Sequence, residues 1–249
     1  MLVVDVGNTR FKWARVGDTV ATLSSRSFAT PAEPSSLASS LDCAWGGEFP
    51  PSRVVVGSVA GAALEQKLAE WVRTRWQVDI ELLRSRAIGW GVCNGYDRPD
   101  TLGVDRWAAL VAARQLYPGA LVIVDCGTAA TVDALERNGQ HAGGIIIPGV
   151  ALMKRSLLDN TKEIHEGEPR HRVGFASSTG DAVHSGAILA LTGLVEKVVR
   201  EFARRVDEPV TTVLTGGAAS TVRAALNLAT DLQEQLVLSG IAIMAEQKA

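Results

Sequence analysis

Asp5 and Asp125 stand where phosphate and metal chemistry would want a carboxylate. Asp5 follows the apolar run Leu2–Val4 and precedes Val6, Gly7 and the polar pair Asn8-Thr9. Leu2–Trp13 therefore reads as strand, tight turn, strand, with the carboxylate at the end of the first strand. Val122–Ala134, VIVDCGTAATVDA, repeats the layout. Asp5 and Asp125, Gly7 and Gly127, and Ala14 and Ala134 are all 120 positions apart (125 − 5, 127 − 7, 134 − 14). Phosphate charge is spread by backbone N–H donors, hydroxyls and a metal. Gly7, Asn8 and Thr9 offer exposed amides and two side-chain donors, and Asp5 can hold Mg²⁺ directly or through water. Gly127, Thr128, Ala129 and Thr131 can do the same from the second copy. There is no Walker loop. Taken singly, each turn also reads as an ordinary hairpin with capping residues. Two at a constant offset predict a duplicated fold with a site between its halves.

A second signal is Leu102–Trp107, LGVDRW. Gly103 opens a helix with Asp105 and Arg106 in its first turn. There the helix dipole favours an ionised carboxylate, which can take or orient a substrate hydroxyl proton. Arg106 can grip an anionic group bidentately. The same pattern also fits a helix whose first turn merely carries an acidic residue. Gly216-Gly217 would let a flat ring such as adenine approach the backbone, or is a plain strand-to-helix turn. Ser178-Thr179 caps a long helix, and Thr179 can also offer a hydroxyl to a substrate. His165 and His171 sit among Glu163, Glu166 and Glu168 without a metal-binding spacing.

These residues need elements to hold them. At 249 residues, with a net charge of -2, the chain is one large domain or two modest ones. Its charge calls for neither nucleic acid nor an anionic membrane. No apolar run approaches the roughly 20 residues of a membrane helix. Cys43, Cys93 and Cys126 are scattered without disulfide or metal spacing, which points to a reducing, cytoplasmic compartment. Strands are expected at Leu2–Val6, Arg10–Val16, Thr19–Phe28, Arg53–Ser58 and Val78–Leu83, with a turn at Gly17-Asp18. Helices are expected at Ser36–Leu41, at Ala62–Gln77 with Leu64, Leu68, Trp71 and Val72 on one face, and at Gly103–Leu116. Ser85–Thr101 is irregular but rich in aromatic and apolar residues. After a boundary near Pro118-Gly119 the strand plan returns: Leu121–Cys126, Ala129–Glu136, a two-residue turn at Asn138-Gly139, and His141–Ile147. Helices over Pro148–Leu158 and Thr179–Val206 follow, then a strand at Pro209–Leu214 and helices from Ala218 and over Leu236–Glu246.

Together, DVGNTR (Asp5–Arg10), YDRPDTLGVDRW (Tyr96–Trp107), DCGTAATVD (Asp125–Asp133), GGIIIPG (Gly143–Gly149), STGDAVHSG (Ser178–Gly186) and LTGG (Leu214–Gly217) resemble the type III pantothenate kinases. The resemblance implies an α/β fold of two duplicated actin-like (ribonuclease H-like) domains, residues 1–117 and 118–249, with an interdomain ATP cleft. It implies transfer of the ATP γ-phosphoryl to pantothenate, the first step of coenzyme A synthesis. Asp105 would be the base. Val6, Gly7, Asn8, Thr9, Arg10, Phe11, Lys12, Trp13 and Thr128 would bind ATP, with Asp5 facing Mg²⁺. Tyr96, Gly103, Val104, Arg106 and Thr179 would hold pantothenate, and Asp125 a monovalent cation, K⁺ or NH₄⁺. A homodimer is implied, with the pantothenate pocket near its interface. One departure is Arg98-Pro99, where the family often shows Asn-Pro.

Overall fold

The N-terminal apolar run forms β1 (Leu2–Val6), every residue of which is buried. In the computed structural model, which describes residues 1–17, 23–161 and 173–246, β1 is the middle of a five-stranded sheet. β2 (Arg10–Arg15) and β3 (Ser25–Ala29) extend it antiparallel on one side. β4 (Val54–Ser58) and β5 (Ile80–Leu82) extend it parallel on the other, giving the order β3-β2-β1-β4-β5. Central strands with parallel neighbours are covered on both faces, hence their unbroken valines. Residues 18–22, with Asp18 of the expected turn and the start of the expected third strand, lie outside the described residues.

One face of this sheet, carrying Val4, Val6, Phe11, Trp13 and Val56, packs on α1 (Leu37–Trp45) and α2 (Ala62–Trp76). α2 buries the expected Leu64, Leu68, Trp71 and Val72, and Trp76 as well. It ends on Gln77, which takes a left-handed φ of 57°. The aromatic residues interlock: Trp45 stacks on Trp76 with centroids 5.2 Å apart, and Phe11 on Phe28 at 4.7 Å. The irregular stretch after β5 folds into a small hairpin, β6 (Ile88–Gly89) and β7 (Val92–Cys93), turned by Trp90 and Gly91 at positive φ. Trp90 meets Trp107 edge-on at 6.4 Å. α3 (Val104–Leu116) follows, with nine of its residues buried.

The second half repeats the plan. β8 (Ala120–Cys126) lies between antiparallel β9 (Ala129–Leu135), itself followed by β10 (His141–Pro148), and parallel β11 (Val210–Thr215), itself followed by β12 (Asp231–Leu232). The order β10-β9-β8-β11-β12 matches the first sheet strand for strand. The β9–β10 connection differs from the expected two-residue turn. Glu136 N–H donates to Gln140 O at 2.9 Å, so three residues intervene, with Gly139 at φ +89°. Asn138 instead accepts Gln140 N–H through Oδ1 at 2.8 Å. α4 (Val150–Asn160), α5 (Thr179–Val206) and α6 (Ala219–Ala225) complete this half. α5 is long and apolar enough to cross a membrane by length and composition, yet its buried stripe packs on β8, β9 and β11.

The chain divides into two units. Tyr117–Glu234 forms one, and Met1–Leu116 with the stretch from Gln235 forms the other. The expected division gave all of 118–249 to the second domain. α7 (Leu236–Glu246) instead belongs to the first unit, where it packs on α3, β1 and β4. Gly240 explains the fit: a Cβ there would lie 2.8 Å from Ala108 Cα, so only glycine lets α7 approach α3 so closely.

Candidate active site

In the first unit the β1–β2 hairpin pairs Val6 with Phe11 and closes through Gly7 N–H to Arg10 O at 3.0 Å. Thr30 braces the turn, donating from its hydroxyl to Gly7 O at 2.7 Å and from its N–H to Thr9 O at 2.9 Å. Asn8, Thr9 and Arg10 are left exposed. Asp5 is buried and pairs in register with Lys12, so strand alternation puts both on the face opposite Val4, Val6, Phe11 and Trp13. Those four side chains belong to the core. Of the expected ATP-binding segment, the side chains of Val6, Phe11 and Trp13 therefore do not reach a ligand. The turn amides with Asn8, Thr9, Arg10 and Lys12 are what the hairpin presents.

The start of α3 sits beside this hairpin within the same unit. Val59, just past β4, donates its N–H to Val6 O at 3.0 Å, and its side chain neighbours Gly103. The Asp105 carboxylate folds back over the helix start and accepts Arg106 N–H at 2.8 Å. A Cβ on Gly103 would lie 2.5 Å from Asp105 Oδ1, so glycine clears the space that the carboxylate occupies. Helix-start N–H groups and the dipole stabilise that charge. Arg106 is buried and donates from Nη1 to the Tyr96 hydroxyl at 2.6 Å, its guanidinium 5.4 Å from the ring centroid. Ser85 anchors the loop below, donating to Leu102 O at 2.8 Å. Val104 is buried beneath the helix start. Asp5, the exposed turn, Gly103, Asp105, Arg106 and Tyr96 thus share one unit.

In the second unit Asp125 ends β8 opposite Thr131 of β9 and Thr215 of β11. Glycines enclose it. A Cβ on Gly216, at φ +91°, would collide with Asp125 Oδ1 and come within 2.7 Å of Cys126 N. Gly149 donates its N–H to Thr128 O at 2.8 Å, and a Cβ there would strike Gly127 and Thr128. The GGIIIPG and LTGG segments therefore form the walls of the Asp125 turn, a role no local spacing reveals. Thr128 is exposed. Cys126 is held as a thiol, its pKa pushed up to about 12 by burial and then by the Asp125 charge. At α5, Ser178 is the cap: its hydroxyl accepts Asp181 N–H at 3.2 Å and donates to Asp181 Oδ2 at 2.7 Å. Thr179 is exposed beside it. Sequence reading missed a buried pair, His141 Nε2 and Asp133 Oδ1 at 2.9 Å, because its partners are brought together only by β9–β10 pairing. His165, His171 and their glutamates lie outside the described residues.

The family model for type III pantothenate kinase matches residues 1–201. The chain belongs to that family. A type III pantothenate kinase of Azoarcus sp. (strain BH72) is 40% identical, with 100% of this chain and 92% of that protein covered. Another, of Nitrosococcus oceani, is 37% identical over 99% of this chain and 94% of that protein. Among solved structures, a conserved Campylobacter jejuni protein described as a Baf family transcriptional activator aligns at TM-score 0.62 and 19% identity, over 99% of this chain and 98% of that one. That likeness speaks for the fold alone. Membership of the family agrees with the two sheets of identical strand order, the actin-like duplication.

Proposed function

We propose that this protein is an ATP-dependent kinase that phosphorylates the primary hydroxyl of pantothenate, giving 4'-phosphopantothenate in the first step of coenzyme A synthesis. The observation that carries the reading at the site is the Asp105 carboxylate, lodged over the start of α3 in the space that Gly103 leaves, next to the buried Arg106. Phosphoryl transfer asks little covalent chemistry of a protein and much alignment and charge neutralisation. Asp105 accepts the substrate hydroxyl proton as the oxygen attacks the γ-phosphorus, and the bond to the β–γ bridging oxygen breaks to release ADP. Arg106, a planar fork with Tyr96 against it, holds the pantothenate carboxylate. Gly103 and Val104 shape the floor of that pocket, and Thr179 adds a hydroxyl. The Gly7 amide is already spent on Arg10 O, so the exposed turn residues Asn8 and Thr9, with Arg10 and Lys12, take the ATP phosphates. Thr128 supplies a further ATP contact.

Mg²⁺ fits Asp5. Among the described residues no group of three or more His, Cys, Asp or Glu gathers as a protein cage. Mg²⁺ that travels with ATP asks for only one or two carboxylates besides phosphate oxygens, and Asp5 at the strand end beside the phosphate turn meets that need. When bound, the ion neutralises phosphate charge. Asp125 is the carboxylate we assign to a monovalent cation, K⁺ or NH₄⁺, with the Gly216 backbone packed close against its Oδ1. A cytoplasmic homodimer without nucleic-acid or membrane partners completes the reading. Ile145 and Ile146 on β10, Leu152 and Leu157 on α4, and Leu189 on α5 are all exposed, and partner subunits cover such surfaces.

The test is ADP release on adding pantothenate to protein, ATP and Mg²⁺, with and without K⁺. Turnover that requires pantothenate and rises with K⁺ supports the reading. ATP binding without pantothenate-dependent ADP release would instead mark a non-catalytic relative. Asp105→Asn should lower kcat by about 10²–10⁴-fold, the usual worth of a positioned base, while ATP still binds. A near-normal rate would show that Asp105 is not the base.

A further inference from the structure

We infer that Asn94 is a positioning residue for pantothenate, one that aims the Tyr96–Arg106 pair without touching the substrate. This rests on the reading that Tyr96 and Arg106 hold pantothenate. Asn94 lies one residue past β7 and is buried. Its side chain makes three hydrogen bonds, all to backbone. Nδ2 donates to Arg86 O and to Pro99 O, each at 3.1 Å. Oδ1 accepts Tyr96 N–H at 3.0 Å. Its own N–H donates to Ala87 O at 2.8 Å.

One planar amide thus joins three pieces of chain. These are the segment at Arg86 that leads into the hairpin, the residue bearing the phenol, and the helical turn Pro99–Thr101 that leads to Gly103. No other side chain of this size offers two donors and an acceptor together. Aspartate would keep the acceptor and set a carboxylate against two carbonyls. Alanine would leave all three backbone groups without this partner.

The tie matters because of what Tyr96 does. Its hydroxyl receives Arg106 Nη1 at 2.6 Å, and its ring lies under the guanidinium. Arg106 is buried on α3, and the Tyr96 hydroxyl is one of the groups that hold its fork. Asn94 fixes the backbone of Tyr96, Tyr96 fixes the fork, and a fork set in advance binds a carboxylate without ordering cost at the moment of binding. The hydrogen bonds of Asn94 reach neither Asp105 nor the phosphate turn. Its loss should therefore act on pantothenate binding and spare the chemical step.

Steady-state kinetics on the full chain tests this with Asn94→Ala, Tyr96→Ala and the double variant, each checked for folding by circular dichroism. Asn94→Ala should raise the pantothenate KM roughly tenfold, with kcat and the ATP KM within about twofold. In the Tyr96→Ala background it should add little, because its route runs through Tyr96. A normal pantothenate KM in Asn94→Ala, beside a raised KM in Tyr96→Ala, would overturn the inference and leave the substrate reading intact. Normal KM values in both would remove the substrate reading, and the inference with it. Lower thermal stability or kcat at an unchanged pantothenate KM would make Asn94 a purely structural residue and also overturn the proposal. If Asn94→Ala does not fold, Asn94→Ser, which also lacks the planar amide, is measured against the same expectations.

Discussion

Asp125 and Cys126 are neighbours on β8 with opposite chemical fates. Burial and the adjacent carboxylate keep the Cys126 thiol protonated, its pKa pushed up to about 12, whereas Cys43 is exposed on α1. The thiolate is the reactive form. Iodoacetamide should therefore label Cys43 in the native protein and reach Cys126 only after denaturation, as peptide mass mapping would report. Gly216 guards the same site from the other side. At φ +91°, with a Cβ directed at Asp125 Oδ1, Gly216→Ala should cost about 1–3 kcal/mol. It should also weaken the proposed activation by K⁺, so the expected readings are a lower melting temperature and a higher half-saturating K⁺ concentration. His184 on α5 titrates below its ordinary value of 6.5, mainly because burial desolvates the imidazolium and next because Lys154 repels it, with Asp181 acting the other way. The unfolded chain then takes up a proton first as pH falls. Stability is complete above the unfolded value and declines as pH drops from it toward the folded value. Urea midpoints at about pH 7.5 and about pH 5.5 should differ in that direction, and His184→Gln should shrink the difference.

At the scale of elements, α7 is the decisive piece. It returns from the far end of the chain to bury Leu236, Val237, Leu238, Ile241 and Met244 in the first unit. Arg53 secures it, donating to Ala245 O at 3.2 Å while gripping Glu81 through two bonds of 2.8 Å. That carboxylate also raises the Arg53 pKa. Gly240 permits the close crossing with Ala108, and Gly240→Val should force the helices apart at about 1–3 kcal/mol or more. Because α3 carries Asp105 and Arg106 at its start, the same variant should lower turnover as well as the melting temperature. A melting scan and the ADP assay on one preparation check both. The hairpin β6–β7 is a second such element. The aromatic and apolar residues of Ser85–Thr101 foretold an ordered stretch. Its attachments, Trp90 against Trp107 and Gln115 Nε2 to Trp90 O at 3.1 Å, depend on α3 being present to receive them.

At the scale of the whole molecule, exposed apolar residues on β10, α4 and α5 bear on assembly. β10 is an edge strand on which Ile145 and Ile146, on opposite faces, are both exposed, and an open apolar edge invites pairing or coverage. Ile146→Asp should convert the proposed dimer to a monomer, visible as halved mass in light scattering, with the fold of each chain kept. Unchanged mass would place the subunit interface elsewhere.

The sequence by itself determined the duplication. Matching carboxylates, glycines and strand patterns 120 positions apart became two sheets of identical order, because strand alternation and tight turns are local properties. Local spacing likewise marked Gly103, Asp105 and Arg106 as the start of a helix. Tertiary structure decided the rest. It buried the side chains of Phe11 and Trp13 in an aromatic core, leaving Asn8, Thr9 and Arg10 of the turn exposed. It lengthened the turn at Asn138-Gly139, sent α7 back to the first unit, and closed Gly149 and Gly216 around Asp125. Each of these depends on contacts between residues far apart in the chain. A periodic pattern states that a face is apolar, and only packing states what that face meets.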